Sequence, residues 1–155
     1  MAEQGTQCVF CQIISGESNS RKIYEDECVI AILDIKPRLA PGQCLVIPKK
    51  HVEQFYDLDD DEVADLFKAV KVVAKKMARV FAPPRFRICT LTSGRTVPHA
   101  HVFLFPSSED GVLDKFFETS SALAATIKES SDDKLDLMAQ KIKEASPSED
   151  VNRAD

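Results

Sequence analysis

The chain has 155 residues, 44% of them apolar and 29% charged, and its 20 lysines and arginines against 25 acids leave a net charge of −5. This is the length and balance of one soluble domain with a substantial core. The cations are scattered rather than clustered, which argues against a nucleic-acid partner, and no apolar stretch is long enough to cross a membrane.

Residues 1–7 read as a loose polar start with no apolar signal core and no glycine for myristoylation. The closing VNRAD is no retention or peroxisomal address, so the chain is expected inside the cell, in the cytoplasm, with the nucleus also open to it. FCQIISGE (10–17) reads as a short helix ended by Gly16, and RKIYEDE (21–27) as a strand. CVIAILDI (28–35) is a near-continuous apolar run, expected as a strand buried on both faces. Pro41-Gly42 marks a turn, and QCLVIP (43–48) is the next strand.

The strongest helix signal spans 59–81. Asp59, Asp60 and Asp61 supply an N-cap and favourable charge at its positive end. Val63, Leu66, Phe67, Val70, Val73, Ala74, Met77 and Val80 then form one apolar stripe, and Pro83-Pro84 stops the helix. RFRICTLT (85–92) and HAHVFLF (99–105) read as strands joined by a loop holding Gly94. A further helical pattern runs at 132–144 with Leu135, Met138 and Ile142 on one side. The stretch 107–131 has no clear period, although Leu113, Phe116 and Phe117 need cover, and the tail from Ala145 is expected to be disordered. Hairpin-ordered strands around one long helix predict an α+β domain on an antiparallel sheet.

Five cysteines, an odd number at uneven spacing, argue against a disulfide framework. Cys28, Cys44 and Cys89 are expected as small buried core residues. Cys8 and Cys11 form CxxC, whose spacing lets two sulfurs hold one ion. A thioredoxin-like reading needs that motif inside a βαβ unit, whereas here it precedes every strand. His51-Val52-Glu53 spells His-x-Glu, but no Pro-Cys-x-x-Cys follows, so a zinc deaminase does not fit. His99 and His101 lie two apart on a predicted strand, so both rings are expected on one face. On spacing alone, His51 and either His99 or His101 could complete a tetrahedral zinc site with the two thiols.

CVFCQIISGE, IAILDIKPRLAPGQCLVIPKKHVEQF and TVPHAHVFLFP, in this order, resemble the histidine triad (HIT) superfamily in its Hint-like branch of nucleotide hydrolases and transferases. The likeness covers residues 8–106, with 107–144 as an extension expected to pack on the domain and 145–155 as the tail. It implies a HIT-like fold, with a five-stranded antiparallel sheet, one long helix and a C-terminal helix, assembled as a two-fold homodimer. It further implies a structural zinc held by Cys8, Cys11, His51 and His99, with His101 left free as the nucleophile that attacks an α-phosphate. Asp34 matches the acid that accepts hydrogen bonds from the ribose hydroxyls. Val9, Phe10, Ile13 and Ile32 match the apolar cleft for the base, and Thr96 matches a hydroxyl that faces the phosphate.

The chain also departs from the pattern. Phe103 stands where the third histidine is expected, and Arg95 replaces a glutamine. The loop around Gly94 is short, and the polar residue that usually precedes it has no clear counterpart, Thr90 and Thr92 being nearest. Backbone amides at Gly94, the Thr96 hydroxyl and the Arg95 guanidinium are the candidate donors to phosphate oxygens. An Nδ1–H of His101 bound to a backbone carbonyl would aim Nε2 at phosphorus. The expected activity is hydrolysis or transfer at the α-phosphate of a purine nucleotide through a nucleotidyl-histidine, with Phe103 reducing or retuning it. The alternative is a weakly active or inactive module of the same fold that binds a nucleotide or a protein.

Overall fold

Within the apolar run at 28–35, Val29–Leu33 forms the strand, and Val29–Ile32 are buried on both its faces. The computed structural model describes residues 8–81, 87–93, 96–107, 111, 115–116, 118–121 and 131–145. The chain divides into two compact units, Met1–Phe116 and Phe117–Asp155. In the first, strands β1 (Lys22–Glu25), β2 (Val29–Leu33), β3 (Cys44–Pro48), β4 (Arg87–Ser93) and β5 (His101–Ser107) form one antiparallel sheet in the order β1-β2-β3-β5-β4. Among the described residues, helices α1 (Val9–Ser15) and α2 (Asp60–Val80) accompany it, with a short 3-10 turn at Phe55–Asp57. The predicted α+β class and five-stranded sheet are borne out.

Alternation along the strands divides the core in two. Val29 and Ala31 of β2, Cys44 and Val46 of β3, and Val102 and Leu104 of β5 pack with α2. Ile30, Ile32, Leu45 and Ile47 pack instead with Phe10 and Ile13 of α1. Each large side chain removed from water contributes about 2 kcal/mol, so a helix on either face accounts for the unbroken apolar run.

Asp59 caps α2 as expected: its carboxylate accepts from the Glu62 amide at 3.0 Å, and Glu62 accepts from the Asp59 amide at 3.1 Å. Leu66, Ala69, Val70, Val73 and Met77 form the buried stripe. Phe67 and Val80, expected on it, are 40% and 76% exposed, because they lie at its edge and in the last turn. Gly16 ends α1 with φ 84°. Gly42, φ 87°, makes the turn into β3 with the Phe81 ring directly against its Cα.

Three further expectations are corrected. Cys28 is exposed, because it sits in the turn before β2, and Cys89 is half-buried; only Cys44 of the three is a core residue. His99 does not lie on β5. Its amide bonds the Val97 carbonyl at 2.7 Å in a tight bend, and the Ala100 amide bonds Val52 at 2.6 Å, so sheet pairing starts at His101.

In the second unit, Asp132–Glu144 forms α3, with Asp132 and Asp133 in its first turn and Lys141 and Lys143 in its last. Most of the rest of the expected extension lies outside the described residues, as do residues 1–7, the Pro83-Pro84 stop and the tail beyond Ala145. No helix among the described residues is long and apolar enough to cross a membrane.

Candidate functional site

Cys8 is the N-cap of α1 and Cys11 lies in its first turn, a spacing that turns both sulfurs to one side. They meet His51, just past β3, and His99, in the bend before β5. The four donor atoms all lie within 4.8 Å of one another. Nδ1 of His99 is 3.5 Å from the Cys8 sulfur, 3.6 Å from the Cys11 sulfur and 3.2 Å from Nδ1 of His51, which is 3.2 Å from the Cys11 sulfur. Around a tetrahedral zinc, with bonds of about 2.3 Å to sulfur and about 2.0 Å to nitrogen, donors stand roughly 3.3–3.8 Å apart. These four separations, from 3.2 to 3.6 Å, fit that size.

The hydrogen bonding of His99 fits too. Nε2 of His99 donates to the Pro48 carbonyl at 2.8 Å, which leaves Nδ1 bare and facing the sulfurs. Burial pushes the His99 ring down to about 4, against the pull of the Pro48 carbonyl, and the neighbouring His51 and His101 add to the lowering. Burial, then the Cys8 sulfur, pushes the Cys11 thiol up to about 11. Two sulfurs and two ring nitrogens converging on one point, from two buried and two half-buried residues, make a donor set suited to a tetrahedral cation.

His101 is not part of that quartet. It opens β5, is buried, and borders a cleft of about 480 Å³. Its Nδ1 donates to the His99 carbonyl at 2.7 Å, as the sequence leads one to expect. The ring is wedged edge-on between Phe10 and Phe103, with centroids at 5.2 and 4.8 Å. Burial lowers its pKa below the usual imidazole value, opposed by the His99 carbonyl and the charge of Asp34, so the ring is neutral at neutral pH. That leaves Nε2 as the nitrogen available to the cleft.

The predicted apolar residues Val9, Phe10, Ile13 and Ile32 all line this cleft, as do Asp34, Thr96 and Phe103. Gly94 and Arg95 lie outside the described residues. The polar residue sought before the loop is not supplied by Thr90 or Thr92, which are exposed and do not border the cleft. Leu91 takes that place: it pairs with Phe103 across β4 and β5, and Leu45 pairs with Phe103 on the other side. One apolar row therefore crosses three strands beside His101.

Sequence reasoning missed Gln43. Its Nε2 donates to Oδ2 of Asp34 at 2.5 Å and its Oε1 accepts from the Leu39 amide at 3.1 Å. The Lys36 amide donates to Oδ1 of Asp34 at 2.8 Å. The carboxylate is thus held from both sides, with lone pairs left for a ligand. The detectable signal was a buried polar residue beginning an apolar strand. Cys44, beneath it, is inert: burial, then the Asp34 charge, pushes its thiol up to about 11.

Comparisons with known proteins agree with this fold. Residues 15–110 match the HIT domain family. The chain is 38% identical over 118 residues to an uncharacterised HIT-like protein of Methanocaldococcus jannaschii, covering 74% of this chain and 90% of that one. It is 31% identical over 109 residues to an adenylylsulfatase of Arabidopsis thaliana, covering 68% of this chain and 55% of that one. Its fold is similar to a histidine triad nucleotide-binding protein from Candida albicans, with a TM-score of 0.69, 30% identity and coverage of 89% and 96% of the two chains.

Proposed function

Because the chain belongs to the HIT domain family, we propose that it is a nucleotide hydrolase or transferase that cleaves a phosphoramidate or phosphoanhydride bond at the α-phosphate of a purine nucleotide. One observation carries the reading: His101 borders the cleft with its Nδ1 tied to a backbone carbonyl. Nε2 attacks phosphorus, the Nε2–P bond forms, and the leaving group departs with the bonding pair and takes up a proton. Water then attacks the nucleotidyl-histidine, and Nε2 leaves unprotonated. Asp34 accepts from the ribose hydroxyls, while Val9, Phe10, Ile13 and Ile32 hold the base. Thr96, Arg95 and the Gly94 amide donate to the phosphate oxygens.

Cys8, Cys11, His51 and His99 would hold a zinc ion of the structural kind, because four protein ligands leave no open position. A homodimer belongs to the same reading.

The test is release of AMP from adenosine 5′-phosphoramidate. Turnover is expected, with a loss of about a thousandfold in His101→Ala. No turnover, or an equal rate in the variant, would overturn the proposal. The apolar row of Leu45, Phe103 and Leu91 favours a second reading, a site that binds the nucleotide but turns it over slowly.

A further inference from the structure

Asp34, Lys36 and Arg38 are the charged side chains lining the cleft among the described residues, so its mouth carries one acid and two cations. The chain as a whole has more acids than bases, so this local excess runs against composition. The ion pairs among the described residues engage Lys22, Lys49, Lys50 and Lys68, and neither of these two. Ser18, Asn19 and Ser20, from the loop between α1 and β1, line the same cleft and add small polar groups. This corner has the chemistry of an anion subsite: two cations outside the ion pairs of the described residues, with hydroxyl and amide donors to hand.

Its position relative to Asp34 identifies the anion. The Lys36 amide is 2.8 Å from Oδ1 of Asp34. A sugar hydroxyl donating to that same oxygen would stand roughly 5 Å from the amide, within reach of the Lys36 side chain. Arg38 follows two residues later on the same loop. The cations thus flank the place where the ribose 2′ and 3′ oxygens would lie. A carboxylate alone would repel a phosphate there, and two cations beside it reverse that sign.

We propose that the cleft takes nucleotides carrying a second phosphoryl group on the ribose, at the 2′ or 3′ oxygen, with Lys36 and Arg38 as its binding residues. This deepens the function proposed above and rests on Asp34 being the ribose end of a nucleotide site.

The test is equilibrium binding by calorimetry to the purified full chain, with 5′-AMP, 5′-ADP, adenosine 3′,5′-bisphosphate and adenosine 2′,5′-bisphosphate as probes. One of the two bisphosphates is expected to bind about tenfold or more tightly than 5′-AMP, and which one assigns the oxygen. In Lys36→Gln/Arg38→Gln that ratio should collapse toward one, and raising salt should shrink it in the wild type. Both side chains are exposed, so the variant is expected to fold. A ratio at or below one for both bisphosphates overturns the proposal, as does a ratio that survives the double substitution or an equal gain with 5′-ADP. If 5′-AMP and every other probe fail to bind, the nucleotide reading of the cleft falls as well, whereas binding of 5′-AMP with no bisphosphate preference removes the ribose-phosphate subsite alone.

Discussion

Nδ1 of His101 donates to the carbonyl of His99 at 2.7 Å, so the backbone of one histidine fixes the ring of the other. The side chain of His99 meanwhile turns to Cys8, Cys11 and His51. Whatever the quartet binds therefore sets the aim of the proposed nucleophile. Metal analysis should find about one zinc per chain. Chelation, or Cys11→Ser, should lower the melting temperature by about 5 °C or more and reduce turnover with it. A metal-free protein with an unchanged melting temperature would remove the zinc.

Phe103 presents its ring to His101 where a histidine is expected from the family resemblance. Phe103→His should raise AMP release from adenosine 5′-phosphoramidate about tenfold, by supplying a proton donor beside the phosphate. It should also cost about 1–3 kcal/mol of stability, because the ring packs with the Leu45 cluster. A fall in turnover in the folded variant would show that the ring is specialised for its substrate.

Gln43 is a positioning residue for Asp34. In Gln43→Leu, Oδ2 of Asp34 and the Leu39 amide both lose their partner. KM is expected to rise about tenfold with kcat little changed, and Gln43→Glu should not restore it, since its second carboxylate would repel Asp34. A loss confined to kcat would contradict this role.

Gly42 tests the contact between the turn before β3 and the end of α2. Gly42→Ala meets the Phe81 ring and must also hold φ 87°. A loss of about 2–3 kcal/mol is expected from chemical denaturation. The double variant with Phe81→Ala should recover the steric part of it, and a double variant no more stable than expected from adding the two losses would show that the ring is not the obstacle.

Asp26 sets the acid sensitivity of the turn before β2. Burial pulls its carboxyl up, but the Tyr24 hydroxyl at 2.6 Å, the Val29 amide at 2.7 Å, the Cys28 amide at 2.9 Å and the charge of Lys49 together hold it below the usual value. A lowered folded pKa adds stability that is complete above the unfolded value, about 4, and is lost as pH falls through the folded one. Asp26→Asn should therefore cost about 1 kcal/mol at pH 7, kept small by exposure, and nearly nothing at about pH 2. An equal cost at both would sink this assignment.

The α2 stripe, the turn glycines and both core faces were legible because periodicity and turn chemistry are local. The meeting of Cys8, Cys11, His51 and His99 and the Nδ1 bond of His101 could be anticipated from the resemblance and from ring chemistry. His99 was misplaced onto a strand because its bend is fixed by Ala100 bonding to Val52, a contact distant in sequence. Gln43 was overlooked for a similar reason: its partner Asp34 meets it only when β2 and β3 pair. Leu91 could not be recognised until its register with Phe103 was known.

The seven residues of α1 are too few to stay helical in water by themselves. Thiols on one side and the rings and branches of the cleft wall on the other hold them in place. This segment is accordingly the natural unit for local unfolding, and its detachment would dismantle both sites in a single step. With the proposed metal in the quartet and the proposed nucleotide in the cleft, thermodynamic linkage would make occupancy of either site tighten the other by the same factor.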